Sequence, residues 1–189
     1  MRLVLSLCDY TGNWSQPYRD AGFFVDQVDI KHGQDIRLLK HSSTRPWGII
    51  MQPPCTHFAS SGGRWWAGKG QEALLEGLQL VDACLRAVAI YNPDWWVLEN
   101  PIGRLVDYLG KPQFMFNPCE YAGWAENPDA EAYTKRTCLW GKFNIPEKKP
   151  VEPVLGSMMH RMSGSSEDKY GKRSVTPKGF ARAFFEANH

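Results

Sequence analysis

Short apolar runs alternate with longer amphipathic stretches along the chain, and the repeat of the pattern changes from two to about 3.6 residues between them. Runs rich in Leu, Val, Ile and aromatic residues predict strands over Leu3 to Cys8, Phe24 to Ile30, Trp47 to Met51, Trp95 to Glu99, Gln113 to Phe116 and Arg136 to Gly141. Ala73, Leu74, Leu78, Val81, Leu85, Val88 and Ala89 recur at helical spacing, which predicts a helix over Gln71 to Tyr91 that Pro93 brings to an end. A second helix is predicted over Pro177 to Ala187, with Thr176 as N-cap and Pro177 at the first helical position. Gly62 to Gly70 and Lys142 to Lys172 lack periodicity and read as loops. Strands that alternate with helices imply an α/β fold, a mostly parallel sheet flanked by helices, expected as one domain over residues 1–189.

Composition adds limits to this picture. A chain of 189 residues with 43% hydrophobic and 13% aromatic content can bury a sizeable core. No segment has the apolar length to span a membrane, and Met1 to Cys8 is too short for a signal peptide, so a cytoplasmic protein is expected. The cysteines at 8, 55, 84, 119 and 138 are odd in number and lack paired spacing, which argues against a disulfide framework. The same spacing leaves Cys119, Cys138 and His160 unpromising as metal ligands. The net charge is only +2, but residues 1–134 hold 11 Lys and Arg against 15 Asp and Glu (11 − 15 = −4), whereas residues 135–189 hold 11 against 5 (11 − 5 = +6). A basic C-terminal third is suited to phosphates or to a plain solvated surface.

In open α/β sheets ligands sit beyond the carboxyl ends of the strands, so the residues that follow each apolar run carry the chemistry. After the first run, Asp9 to Ser15 forms a glycine-containing turn into a helix, whose backbone N–H groups suit an anionic group. Asp29 ends the second run, where an acid can accept hydrogen bonds from a ribose diol, and Asp35 stands before Ile36 within reach of an adenine amino group. The third run leads into Gln52-Pro53-Pro54-Cys55, two rigid residues before a thiol; a nucleophile and a buried structural cysteine are both open. The fourth run ends in Glu99-Asn100-Pro101, where a partly desolvated acid can donate a proton or a Glu can cap the helix that follows.

In this order these residues resemble the cytosine-5 DNA methyltransferases, particularly their short phage-encoded members, over most of the chain. Ser6 to Gly12 with Ala21-Gly22-Phe23 resembles the first cofactor motif, Pro53-Pro54-Cys55 the nucleophile motif, and Glu99-Asn100-Pro101 the motif carrying the base-binding acid. Arg136 resembles the last arginine of the substrate motif, and Arg173-Ser174-Val175-Thr176 the element before the terminal helix. The resemblance implies a Rossmann-like fold that uses S-adenosylmethionine, bound by Cys8, Asp9, Gly12, Trp14, Ser15, Asp29, Asp35, Ile36 and Pro53. It further implies Cys55 as nucleophile at carbon 6 of cytosine, with Glu99 and Arg136 as catalytic partners, and Asn100, Arg64, Trp65 and Arg173 at the substrate. Arg64, Trp65 and Trp66 follow the nucleophile where the family has a loop that closes on an extruded base, though two tryptophans also suit simple packing.

The departures from the family bear on substrate. Tyr10 and Asn13 replace glycines, Cys8 replaces an aromatic for which Trp14 could substitute, and Thr134 stands where another arginine is expected. A short insert, 142–172, replaces the long target-recognition domain, which leaves few side chains to read bases directly. DNA with a flipped or single-stranded cytosine is therefore the expected partner, with low sequence specificity, no metal and a place for a separate specificity partner. For a phage-encoded chain the site of action is the host cytoplasm. Two alternatives remain open: modification of a free pyrimidine nucleotide, and a degenerate cofactor-fold protein that binds nucleic acid or a partner.

Overall fold

A computed structural model describes residues 2–157 and 175–189. Its centre is a six-stranded sheet in the order β2-β1-β3-β4-β6-β5. The strands are β1 (Leu3–Leu7), β2 (Phe24–Val28), β3 (Gly48–Met51), β4 (Trp95–Pro101), β5 (Phe114–Phe116) and β6 (Thr137–Lys142). The first four pair in parallel, and β6 runs antiparallel to both β4 and β5. The helices are α1 (Gln16–Asp20), α2 (Trp66–Tyr91), α3 (Val106–Leu109) and α4 (Lys178–Ala187).

Alternation along the strands explains the layering, because successive side chains of a strand face opposite sides. Leu5, Leu7, Ile49, Met51, Leu98 and Trp140 pack with Val81, Cys84 and Ala87 of α2. Val4, Ile50, Val97 and Leu139 pack on the other side with Trp14, Tyr18 and the phenylalanines of α4. Both faces are thus covered, and the apolar strand β3 is buried throughout. Gly48 allows this: a Cβ there would come within 2.1 Å of the Trp95 ring. Phe180 of α4 stacks on Phe116 of β5 at 3.9 Å, which ties the last helix to the far edge of the sheet.

Three expected features differ. Residues 62–70 are helical, as a 3-10 turn over Ser60–Trp65 that runs into α2, and the break falls at Gly70, whose φ is 71°. Thr176 does not cap α4; Pro177 holds the cap position, and the Glu131 carboxylate accepts from the N–H groups of Lys178 (2.5 Å) and Gly179 (2.9 Å). Lys142 belongs to β6, residues 143–157 form the irregular segment expected there, and 158–172 lie outside the described residues. Among the described residues no helix is long and apolar enough to cross a membrane.

Candidate active site

The parallel strands β1, β3 and β4 end at one edge of the sheet, with Leu7 opposite Met51 and Met51 opposite Leu98. The turn from Pro53 to His57 leaves β3 there, while Glu99 and Asn100 lie one and two residues past Leu98. Asn100 is buried, and its Nδ2 donates to the carbonyl oxygen of Pro53 at 2.9 Å. The acid-bearing strand therefore holds the base of the cysteine turn. The Cys55 carbonyl accepts from the N–H groups of Phe58 and Ala59, both at 2.9 Å, so the turn closes on itself and leaves the Cys55 side exposed to solvent. Lys69 donates to the Thr56 carbonyl (3.1 Å) and Arg104 to that of His57 (2.8 Å), which places two cations around the turn. Gly103 closes the arrangement, since a Cβ there would come within 1.8 Å of the Phe58 carbonyl oxygen.

Glu99 points to the side of the sheet that α4 covers. It lines a cleft with Trp14, Phe116, Lys135, Thr137, Thr176 and Phe180. Burial raises the pKa of its carboxyl, and the Lys135 charge opposes that rise in part. Arg136 does not occupy the place the motif suggests: it is exposed and does not line this cleft. Nothing in the pattern around Lys135 marks it in advance; only the pairing of β6 with β4 brings it to Glu99. Thr176 binds the cleft to both neighbouring loops, through its hydroxyl to Gln52 Oε1 (2.6 Å) and through its carbonyl, which accepts from Asn13 Nδ2 (3.5 Å).

Much of the expected cofactor set is occupied by internal bonds. Asp9 is buried and accepts from Ser6 Oγ (2.8 Å), Ser15 Oγ (3.2 Å) and the Gly12 N–H (2.9 Å), so it shapes the turn after β1 instead of facing a ligand. Trp14 is 0% exposed and packs edge-on against Phe180 and Phe184, which rules out its ring as an adenine platform in this arrangement. Ser15 is buried with it, and Ile36 sits in the core beneath α2. Cys8 has a φ of 56°, a left-handed conformation where the turn departs from β1. Asp35 is gripped by Arg37, whose Nη2 lies 2.6 Å from Oδ2, and this hydrogen-bonded partner lowers the carboxyl's pKa. Asp29 is half-buried; its Oδ1 accepts from the Lys31 N–H at 2.8 Å.

Around the mouth, Trp65 is 58% exposed with the Arg64 guanidinium 5.0 Å from its ring, while Trp66 is partly buried beneath Arg104 at 4.7 Å. Packing accounts for Trp66 and leaves Trp65 open to solvent. His57 lies 3.8 Å from Glu76 through Nε2, and burial, joined by Lys69, lowers its pKa. Among the described residues no cluster of His, Cys, Asp and Glu could hold a metal ion, and Arg173 and His160 fall outside those residues.

No protein-family profile and no curated protein matches the chain. Among solved structures 43 chains match. One is a candidate DNA modification methyltransferase encoded within a prophage of E. coli, with a TM-score of 0.53 and 18% identity, covering 80% of this chain and 53% of that one. The chain thus spans about half the length of that structure. At this identity the likeness is one of fold. The chain has an α/β fold with a mixed six-stranded sheet, shared with a methyltransferase-type neighbour.

Proposed function

We propose that this chain transfers a methyl group from S-adenosylmethionine to carbon 5 of cytosine in DNA, through a covalent bond to Cys55. One observation supports this above the others: Cys55 lies in the turn after β3, Glu99 lies in the neighbouring parallel strand β4 just past its pairing with β3, and Asn100 beside Glu99 bonds the carbonyl of Pro53 two residues before Cys55. The buried hydrogen bond ties the turn that carries the nucleophile to the strand that carries the proton donor. The fold neighbour is itself described as a DNA modification methyltransferase candidate, which is consistent with the same substrate class.

The residues fit the cofactor in part. Asp29, with one oxygen turned to its own backbone, would take the ribose diol, and the turn from Cys8 to Gly12 would meet the charged end. Asp35 would first have to release Arg37. When bound, the cofactor supplies an electrophilic methyl group. The Cys55 thiolate adds to carbon 6, while Glu99, more readily protonated than an ordinary carboxyl, supports nitrogen 3 and so allows negative charge to build at carbon 5. Once carbon 5 is methylated, a base removes its proton, the bond from Cys55 to carbon 6 breaks, and the thiolate is restored.

Incubation with methyl-labelled S-adenosylmethionine should label DNA, and DNA carrying 5-fluorocytosine should trap a covalent adduct, because fluorine blocks the final proton removal. Cys55→Ala should abolish both; an adduct that persists in this variant would remove Cys55 as nucleophile. Parallel acceptors (duplex DNA, single-stranded DNA and dCMP) separate polymer from free-nucleotide substrates. The internal bonds of Asp9 and Asp35 favour one rival, a fold that no longer binds cofactor. Calorimetry decides it: absence of S-adenosylmethionine binding would select the rival.

A further inference from the structure

We propose that Lys135, not Arg136, is the cationic partner of Glu99 and the residue that positions its carboxyl in the cleft. The inference deepens the reaction proposed above and rests on it for the role of Glu99. Its geometric basis is the alternation of β6. Thr137 lines the cleft and Leu139 packs on the α4 side, whereas Cys138 and Trp140 pack on the α2 side. The ladder with β4 continues one residue beyond the strand, because the Ile102 N–H donates to the Arg136 carbonyl at 3.4 Å. A repeat of two along this extended segment sets Lys135 with Thr137 and sets Arg136 with Cys138. The cleft agrees: Lys135 lines it beside Glu99, and Arg136 is exposed outside it.

The charges divide the same way. Lys135 is the cation that acts on Glu99, while Arg136 acts on the Cys138 thiol, whose pKa burial and Glu99 push up to about 11 against the Arg136 charge. From the other elements packed around Glu99, the cleft receives Trp14 from the turn before α1, Phe116 from β5, and Val175 and Thr176 from the segment before α4. None of these is ionisable, so among the described cleft residues Lys135 alone can answer the Glu99 charge. The residue type suits the task. An arginine fork matches a carboxylate through both oxygens, whereas an ammonium is a point donor that can leave one oxygen for the edge of a pyrimidine.

The test is a titration of the whole chain with 13C-labelled glutamate carboxyls, read by NMR for the native protein, Lys135→Gln, Lys135→Arg and Arg136→Gln. Removal of the Lys135 charge should shift the Glu99 midpoint upward, Lys135→Arg should return it toward the native value, and Arg136→Gln should leave it in place. The limb of the methyl-transfer pH profile that follows Glu99 should move in step. In Lys135→Gln, kcat should fall by about tenfold or more with a smaller change in KM, as for an interaction that acts on the reacting complex. A Glu99 midpoint that ignores Lys135→Gln, whether or not Arg136→Gln moves it, overturns the proposal. Absence of methyl transfer by the native chain would instead end the reaction proposed above and leave the titration to decide the pairing.

Discussion

Glu99 shows how much a single residue depends on its setting. Its position at the end of an apolar run marks it as a candidate acid, but the raised pKa comes from a cleft assembled by β4, β5, β6 and the approach to α4. Because the folded carboxyl holds its proton to higher pH than the unfolded one, the folded chain binds more protons between the two midpoints. Its contribution therefore falls as pH rises through the folded midpoint. Glu99→Gln should then unfold at higher urea than the native chain at about pH 8, and the gain should vanish near pH 3, below the ordinary carboxyl range where both states are protonated. Equal midpoints at both pH values would contradict the cost of ionising Glu99. The same variant should lose methyl transfer. Residue type singled out Cys55, Glu99 and Asn100 as candidates because their neighbours in the chain are distinctive. It failed for Trp14 and Ile36, because an apolar side chain in a loop gives no sign of whether it meets a ligand or the core.

At the scale of elements, α4 is the informative case. Its start was legible to within a residue from Pro177, yet its cap was not, because Glu131 reaches it from 47 positions earlier in the chain. A local Thr-Pro pair suits an N-cap, but Thr176 instead turns its hydroxyl to Gln52, and a remote carboxylate satisfies the two N–H groups. Glu131→Ala should cost about 0.5–2 kcal/mol in urea or thermal unfolding, the range for loss of a helix cap. Thr176→Val should leave the α4 end intact and loosen the junction with Gln52. A loss from Thr176→Val that matches that from Glu131→Ala in amide exchange at Lys178 and Gly179 would contradict this division. α2 carries the same lesson in smaller form: the pattern from Gln71 onward marked the regular helix, and the Gly70 break separates it from a first turn that periodicity missed.

For the whole molecule, charge is laid out along the chain more unevenly than its net value shows. Arg161, Lys169, Lys172 and Arg173 all fall in the basic C-terminal third. If they neutralise phosphates, changing all four to Gln should reduce the salt dependence of DNA binding by up to about 3–4 in the slope of log K against log salt, since each contact contributes about 0.9 on duplex DNA. An unchanged slope in fluorescence anisotropy would place the phosphate contacts elsewhere. The strands, the long helices and the candidates at strand ends follow from the sequence because each is written in a local pattern: a repeat of two, a repeat of about 3.6, or a reactive side chain just after an apolar run. Which of those candidates meet is a matter of tertiary structure alone. Strand order set the turn that carries Cys55 next to the strand that carries Glu99, the register of β6 turned Lys135 to the cleft where the motif named Arg136, and internal partners claimed Asp9 and Asp35. The physical reason is that contacts across a sheet join residues far apart in the chain, and the direction of a side chain depends on a register that local spacing leaves free.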